Sequence, residues 1–261
     1  MSTGIFWIIN DSLPRQSRND FRSFWGKIFE DYINHIFEEI SKNSNISLIA
    51  NPRLKNSDDE ISDAIIINEK DVFIIETKFT TMTEDSKYLD SIDSLKKEIV
   101  QKFEKNHKGE WKGYGQLSNS INKIFSDPSN YSHLFELSDI KMIYPILIVN
   151  ENFMNSPFTN YILNRTFQSL LNLQSLKKYK NLQVSPLTIM AIQEFEASIP
   201  FLKEISIFFQ DWFSFNPDLK RSFSDFLISQ YKDDSPIENF IVDTEYKKYS
   251  EEMTQKFFPK T

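Results

Sequence analysis

Two apolar runs separated by four polar residues constrain the fold more than any other feature of the chain. The runs at 64–67 and 72–75 are rich in β-branched residues, and the polar segment at 68–71 joins them. This pattern predicts two strands connected by a hairpin loop. Because each run is almost continuously apolar, we expect both strands to be buried on both faces of a sheet.

The rest of the chain alternates between helical and strand patterns. Apolar residues recur from Phe21 to Ile40 at spacings of three and one, which predicts a first helix with Ser17, Asn19 or Asp20 at its start. The remaining pattern predicts strands at 46–50, 142–149 and 187–192, helices at 88–106, 114–124 and 158–173, and a helical, aromatic region from about 200. This order is typical of an α/β domain with a mixed sheet flanked by helices.

Composition excludes several classes of function. The chain has 261 residues with a formal net charge of −7, and it has no cysteine, which excludes disulfides and thiolate zinc sites. No set of its five glycines forms a phosphate-binding loop, so the usual nucleotide enzymes are not indicated. The N-terminus lacks a signal-peptide pattern and no apolar stretch is long enough for a bilayer, so we expect a cytoplasmic protein without membrane contact.

The hairpin brings charged residues together at its open end. If the turn is centred on Glu69 and Lys70, Asp63 lies opposite Glu76, and Lys78 shares a face with Glu76. Two facing carboxylates beside apolar strands repel each other, and Mg²⁺ is a natural compensating ion because it binds carboxylate oxygens. A solvated ion-pair face is the alternative interpretation.

These residues resemble a known family. Asp63, a strand turn and then Glu76-Thr77-Lys78 are similar to the motif of the PD-(D/E)XK nuclease superfamily, with Ser62 in the place of the usual proline. The family core runs helix, three strands, helix, strand, which is the order predicted above over about 20–195. The resemblance implies a restriction-endonuclease-like domain at 1–199. The helical, aromatic pattern that follows predicts an α-helical C-terminal extension at 200–261 packed on this domain.

The resemblance also implies roles for individual residues. Asp63 and Glu76 would bind Mg²⁺, for which Mn²⁺ can substitute, with the Thr77 carbonyl oxygen as a further ligand, and Lys78 would assist the attacking water. Glu30 on the first helix and Gln116 on the helix after the motif resemble accessory residues of some lineages. A solvated helix face explains Glu30 as well, and a surface or capping role explains Gln116 as well.

The expected function is therefore a Mg²⁺-dependent nuclease, most simply a DNA endonuclease of the restriction or defence type. Its partner would be nucleic acid, and it would act as a homodimer or with a partner subunit. The rival is a catalytically inactive nuclease-like module that binds nucleic acid or a partner protein, which the acidic pI of about 5.2 favours.

Other charged segments have simpler interpretations. Asp139-Ile-Lys141 also fits the tripeptide and precedes a strand, but no acidic strand comes before it. The acidic stretch at 58–60 could add to a metal site, yet an acidic loop explains it more simply. Lysines at 95–112 are interpreted first as a solvated face, and Trp111 as a packed residue rather than a base-stacking one.

Overall fold

The computed structural model describes residues 3–55, 57–80, 82–83, 91–150 and 156–230, together with 241, 244, 246–248 and 250. These residues contain one mixed sheet of six strands. Its strands are β1 (Ser47–Ala50), β2 (Ala64–Asn68), β3 (Asp71–Lys78), β4 (Met142–Val149), β5 (Gln183–Val184) and β6 (Thr188–Ala191). The first three strands pair antiparallel, whereas β4 lies parallel to β3 and is itself paired in parallel with β5 and β6.

Helices cover both faces of this sheet. None of the helices in the described ranges is both long enough and apolar enough to cross a membrane. Short π-helical and 3₁₀ segments lie at Val100–Glu104, Pro128–Asn130 and Ile199–Glu204. The α-helices are α1 (Thr3–Ser12), α2 (Arg15–Ser41), α3 (Ile92–Ile99), α4 (Gly113–Ser126), α5 (Pro157–Leu170), α6 (Leu173–Leu176), α7 (Ile192–Ser198), α8 (Ile205–Phe215) and α9 (Phe223–Gln230).

The central strands are buried on both sides, as their apolar sequences predicted. On one face Ile65, Val72 and Ile74 share a core with α4 and α5. On the other face Ile66 and Phe73 share a core with α2, α8 and α9. The expected arrangement, a mixed sheet flanked by helices, is therefore the one that the described residues form.

The hairpin register is the predicted one. Ala64 lies opposite Ile75 and Asn68 opposite Asp71. The turn contains only two residues rather than four, because the polar pair Asn68 and Asp71 is itself part of the ladder. Glu69 makes the tight reversal in the left-handed region, with φ of 54°.

The first predicted helix starts earlier than expected. α2 begins at Arg15 with Pro14 in the capping position, and the side chains of Ser17, Asn19 and Asp20 do not cap it. The apolar stripe could not reveal this start, because residues 15–20 are mostly exposed. Helix α1 precedes it and was not predicted. Residues 88–90 of the predicted 88–106 helix lie outside the described residues, and the helix proceeds from α3 into the π-helical turn.

The region after residue 200 contributes to the core beneath the sheet. Phe208, Phe209 and Trp212 of α8 are buried, and Phe209 packs against Phe73 of β3 with ring centroids 5.5 Å apart. The Ser206 hydroxyl donates to the Asn68 side-chain oxygen at the hairpin turn. The division into a domain at 1–199 and an extension at 200–261 stays a prediction.

Candidate functional site

Asp63 is fixed at the point where the β2–β3 ladder ends. The backbone N–H and the hydroxyl of Thr77 both donate to Asp63 Oδ2, at 2.6 and 2.7 Å. The carboxylate therefore takes the place that a backbone carbonyl would occupy at the next step of the ladder. Because Ala64 pairs with Ile75, Asp63 lies across from Glu76, as the sequence predicted.

Glu76 is a buried carboxylate with an unsatisfied oxygen. Its side chain continues the row of Val72 and Ile74 on the face covered by α4, and it is only 2% exposed. Its Oε2 atom is buried and has no hydrogen-bond partner among the residues that the structure describes. Burial raises the pKa of Glu76 well above its ordinary value, the charge of Asp63 raises it further, and Lys78 opposes both effects. Such an atom is costly unless something binds it, so it has the character of a ligand.

Lys78 supplies the positive charge of the site. It is the last residue of β3, lies half-buried opposite Val149 of β4, and points to the same face as Glu76. Burial raises the pKa of Asp63, the Thr77 hydrogen bonds lower it, Glu30 raises it, and Lys78 lowers it. The lysine therefore acts electrostatically on both carboxylates of the predicted motif.

Glu30 reaches this site from α2, on the other side of the sheet. Carboxylate oxygens of Glu30, Glu60 and Asp63 lie within 4.8 Å of one another. With its amide nitrogen facing them, Asn51 donates to Glu30 Oε1 and Glu60 Oε1, each at 2.8 Å. Lys27 also contacts Glu30 Oε1, at 2.7 Å. The structure thus brings Glu30 to the predicted motif rather than leaving it on a remote helix face.

Sequence reasoning did not select Glu60. It lies in the β1–β2 connection, which folds back so that Arg53 and Glu60 form a bridge. The pKa of Glu60 is raised by partial burial and then by Asp63 and Glu30, while Lys27 and Arg53 lower it. The sequence carries only a weak signal for the position of Glu60, because the opposite charges of Arg53 and Glu60 are merely compatible with pairing between the two arms of a loop.

The two acidic neighbours of Glu60 behave as the acidic-loop interpretation expected. The side chain of Asp58 is fully exposed and pairs with Arg53 at 3.0 Å. Asp59 is exposed as well, and its backbone N–H donates to the Ser57 hydroxyl. Only Glu60 of this stretch turns toward Asp63.

Gln116 lies on the helix that covers the site. The Ser120 hydroxyl donates to the Ile61 carbonyl oxygen, which ties α4 to the chain just before Asp63. Gln116 precedes Ser120 by one helical turn and is half-buried, so it lies on the same face of α4. Among the described residues no hydrogen bond joins its side chain to Lys78 or to the carboxylates, and its role stays a prediction.

The competing motif lies at the other end of the sheet. The Lys141 N–H donates to the Lys70 carbonyl oxygen in the hairpin turn, far along β3 from Lys78. Asp139 is exposed and accepts a hydrogen bond from Ser138. Trp111 is engaged within its own loop, where the Lys105 ammonium lies 4.4 Å from the ring centroid. Neither feature adds to the carboxylate site.

Comparisons with known proteins add little to this geometry. No protein-family model matches the sequence, and a search of curated proteins finds no match. Among solved structures, the chain is similar to the small subunit (R.BspD6I2) of the heterodimeric restriction endonuclease R.BspD6I. The similarity covers 80% of this chain and 94% of that chain, with 12% sequence identity and a TM-score of 0.35. A TM-score this low supports no argument, so the assignment of function rests on the site itself.

Proposed function

We propose that the protein is a Mg²⁺-dependent nuclease that hydrolyses phosphodiester bonds, with DNA as its substrate. The observation that carries this proposal is the buried, unbonded Oε2 atom of Glu76 opposite Asp63, with Lys78 on the same strand. Two carboxylates in this position repel each other, and no described residue donates a hydrogen bond to the free oxygen.

The donor set fits a hard divalent cation. Asp63 and Glu76 would hold Mg²⁺, and the Thr77 carbonyl oxygen would be a further ligand, since Mg²⁺ is commonly bound through one or two carboxylates and other oxygens. When bound, the cation would stabilise negative charge on the phosphate and make a nearby water more acidic. Thr77 has a second role besides its carbonyl oxygen. Its backbone N–H and its hydroxyl donate to Asp63, and these two hydrogen bonds fix the orientation of the Asp63 carboxylate.

Lys78 would act on the attacking water and on the phosphate. Its ammonium group would hold the water by hydrogen bonding and would stabilise the negative charge that develops on the phosphoryl oxygens. The backbone at Lys78 is held in place, because Lys78 pairs with Val149 and the Thr80 N–H donates to the Asn150 side-chain oxygen. Gln116 would orient Lys78 or the phosphate from α4, and Glu30 would complete the site from α2.

The substrate follows from this chemistry together with the family resemblance. A phosphodiester offers the anionic oxygens that the cation and Lys78 would bind, and we propose DNA cleavage of the restriction or defence type. The described part of each chain offers one such carboxylate site. Cutting both strands of a duplex would therefore use two chains, either as a homodimer or with a partner subunit.

Cleavage of plasmid and single-stranded DNA by the purified protein tests this function directly. Cleavage should require Mg²⁺ or Mn²⁺, stop with EDTA and disappear in Lys78→Ala. The exposed Lys97 on α3 offers a matched control, and Lys97→Ala should cut normally. Failure to cut any substrate, with no stabilisation by either metal, would favour the inactive module that binds nucleic acid or a protein.

A further inference from the structure

The side of α2 that faces the sheet changes from apolar to basic along the helix. Toward its C-terminus this side places Phe29, Ile33 and Phe37 in the core. At the same spacing of three or four residues, it continues toward the N-terminus with Gly26 and then with Arg22, Arg18 and Arg15. Arg15 and Arg22 are exposed, so the sheet no longer covers this part of the side.

This basic side leads to the carboxylates of the proposed magnesium site. Glu30 lies on the helical turn after Gly26, and its carboxylate is within 4.8 Å of that of Asp63. Arg22 precedes Glu30 by two turns, a rise of about 12 Å along the helix. One strand of DNA carries a phosphate at about every 3.4 Å, so this distance spans about three to four nucleotides.

The acidic residues in the same half of α2 lie on its opposite side. Asp31 follows Arg22 by about two and a half turns, and Asp20 precedes it by about half a turn. The Lys27 ammonium lies 3.1 Å from the Asp31 carboxylate, so the opposite side carries its own compensating charge. The positive charge of Arg22 is thus directed away from these acidic residues, although the whole chain has a net charge of −7.

Arg22 is oriented by a buried amide. Its Nε atom donates to Asn10 Oδ1 at 3.0 Å, and Asn10 is fully buried. Among the described residues this is the one hydrogen bond of the Arg22 side chain, which leaves its two terminal nitrogens for a ligand. A guanidinium group held in this way suits the anionic oxygens of a phosphate.

Arg18 has a different role, because the fold itself uses its guanidinium group. Its Nε and one terminal nitrogen donate to the carbonyl oxygens of Leu13 and Asp11, at 3.1 and 2.8 Å. Its other terminal nitrogen lies 3.8 Å from the Asp11 carboxylate. Arg18 therefore satisfies backbone acceptors at the end of α1, and we assign ligand binding to Arg22.

Gly26 provides a second, independent observation. Glycine inside a helix costs stability relative to alanine because it has more backbone freedom to lose. No described residue comes within 4 Å of the position that a Cβ atom would take at Gly26, so packing in this part of the chain does not require glycine. Close approach of a ligand backbone is an ordinary reason for such a glycine.

We propose that Gly26 and Arg22 form a track on α2 for the sugar–phosphate backbone of the substrate strand. Arg22 would bind a phosphate a few nucleotides from the reacting one, and the absent side chain at Gly26 would let the strand lie against the helix. This inference rests on the proposed function for the identity of the substrate, but it does not depend on the metal chemistry. Neither residue belongs to the sequence motif.

Fluorescence anisotropy of a labelled DNA duplex in EDTA tests the track without cleavage. Arg22→Met keeps the apolar stem and removes the charge. Between about 50 and 200 mM salt, this variant should bind all sequences more weakly, and its slope of log affinity against log salt should fall by about 0.9, the value for one phosphate contact. Lys70→Met is the matched control, because Lys70 is exposed in the hairpin turn at the other end of the sheet, and its slope should equal that of the wild type.

Variants of Gly26 separate binding from folding. Gly26→Ala and Gly26→Leu should both raise the unfolding temperature, since alanine and leucine favour a helix more than glycine does. Gly26→Leu should nevertheless bind the duplex about tenfold more weakly, because its side chain would occupy the track, and Gly26→Ala should show a smaller loss. Weaker binding by a more stable protein cannot result from a damaged fold.

The outcomes distinguish this inference from the nuclease proposal. An unchanged slope in Arg22→Met, or normal binding in Gly26→Leu, would overturn the track and leave the nuclease proposal standing if the wild type cuts DNA. Binding that depends on Arg22 and Gly26, in a protein that cuts no DNA with Mg²⁺ or Mn²⁺, would support the track and contradict the nuclease proposal. A wild type that binds no duplex even at the lowest salt would overturn the track.

Discussion

Thr77 donates two hydrogen bonds to a single oxygen of Asp63, one from its backbone N–H at 2.6 Å and one from its hydroxyl at 2.7 Å. The hydroxyl of a strand residue thus points back across the end of the ladder to a carboxylate. Burial raises the pKa of Asp63, and these two bonds counteract that effect by stabilising the ionised form. The contact therefore orients Asp63 and favours its ionised form.

Thr77→Val should destabilise the protein by about 1–3 kcal/mol at neutral pH, because it removes a hydrogen bond to an ionised group while keeping the shape of the side chain. Urea unfolding in EDTA measures this loss. Thr77→Ser keeps the hydroxyl and should lose much less. Equal losses in the two variants would show that the methyl group, not the hydrogen bond, accounts for the stability.

The sequence predicted this part of the site because strand geometry is regular. A two-residue period and a symmetric turn suffice to place Asp63 opposite Glu76 and to put Lys78 on the same face. The structure confirms this register for every pair, from Ala64 opposite Ile75 to Asn68 opposite Asp71. The nearly continuous apolar runs at 64–67 and 72–75 separately predicted that the central strands are buried on both faces.

The sequence offered Glu60 only as part of the acidic stretch at 58–60 and gave no sign of Asn51, because both residues lie in an irregular connection. Their positions depend on a left-handed residue and on the Arg53–Glu60 bridge, and neither follows from a repeating pattern. Glu30 was predicted as a candidate since it borders the apolar stripe of α2, but its approach from the far side of the sheet required the packed structure. Gln116 depends on how α4 is rotated over the sheet, which the sequence constrains only through its apolar face.

Glu76→Gln should stabilise the metal-free protein, and increasingly so as pH rises. The pKa of Glu76 is raised in the folded state, so the folded protein binds its proton more tightly than the unfolded chain does. The wild type therefore loses stability as pH rises from the ordinary carboxyl range, about 4.3, through the raised pKa. The glutamine variant lacks this loss.

Chemical denaturation in EDTA between pH 5 and pH 8 measures the difference in unfolding free energy between Glu76→Gln and the wild type. This difference should widen with pH and then level off. The exposed Glu136 provides a control, and Glu136→Gln should give a small, nearly constant difference. A Glu76→Gln difference that stays flat across the range would contradict the raised pKa.

Lys78→Met should separate catalysis from metal binding. Methionine keeps the long apolar stem but lacks the ammonium group, so we expect cleavage to fall by about 100- to 1,000-fold, the typical loss when one charge-stabilising group is removed. Mn²⁺ binding should persist, because the carboxylates remain and a competing positive charge is gone. Lys97→Met is the control. Loss of Mn²⁺ binding in Lys78→Met would mean that the lysine is a structural part of the site.

Gln116→Ala should lower the cleavage rate by about tenfold without a matching loss of stability, if Gln116 orients Lys78 or the phosphate. Ser120→Ala, on the same helix, should show the opposite pattern, in which stability falls without a matching loss of cleavage rate. It leaves the buried Ile61 carbonyl oxygen without its donor and should cost about 1–3 kcal/mol of stability. Single-turnover cleavage and thermal unfolding of both variants measure these effects. An unchanged cleavage rate in Gln116→Ala would assign the residue to the helix surface.

Phe79 directly follows Lys78 in the chain, so Phe79→Ala should impair the site indirectly. The Phe79 ring packs against Phe6 of α1 and against Trp25 and Phe29 of α2, with ring centroids 5.2, 6.4 and 5.9 Å away. These contacts hold the end of β3 against the two N-terminal helices. Because Phe79 is half-buried, its removal should cost about 1–3 kcal/mol, less than a fully buried phenylalanine.

The same variant should also lower kcat by about tenfold at a temperature where it is fully folded, because a small displacement of the Lys78 ammonium weakens its alignment with the water. Phe158 on α5 is 73% exposed, so Phe158→Ala is the matched control and should change neither stability nor kcat. Thermal unfolding and steady-state cleavage with Mg²⁺ give both quantities. A lower stability with normal kcat would show that the aromatic contacts support the fold but do not position Lys78.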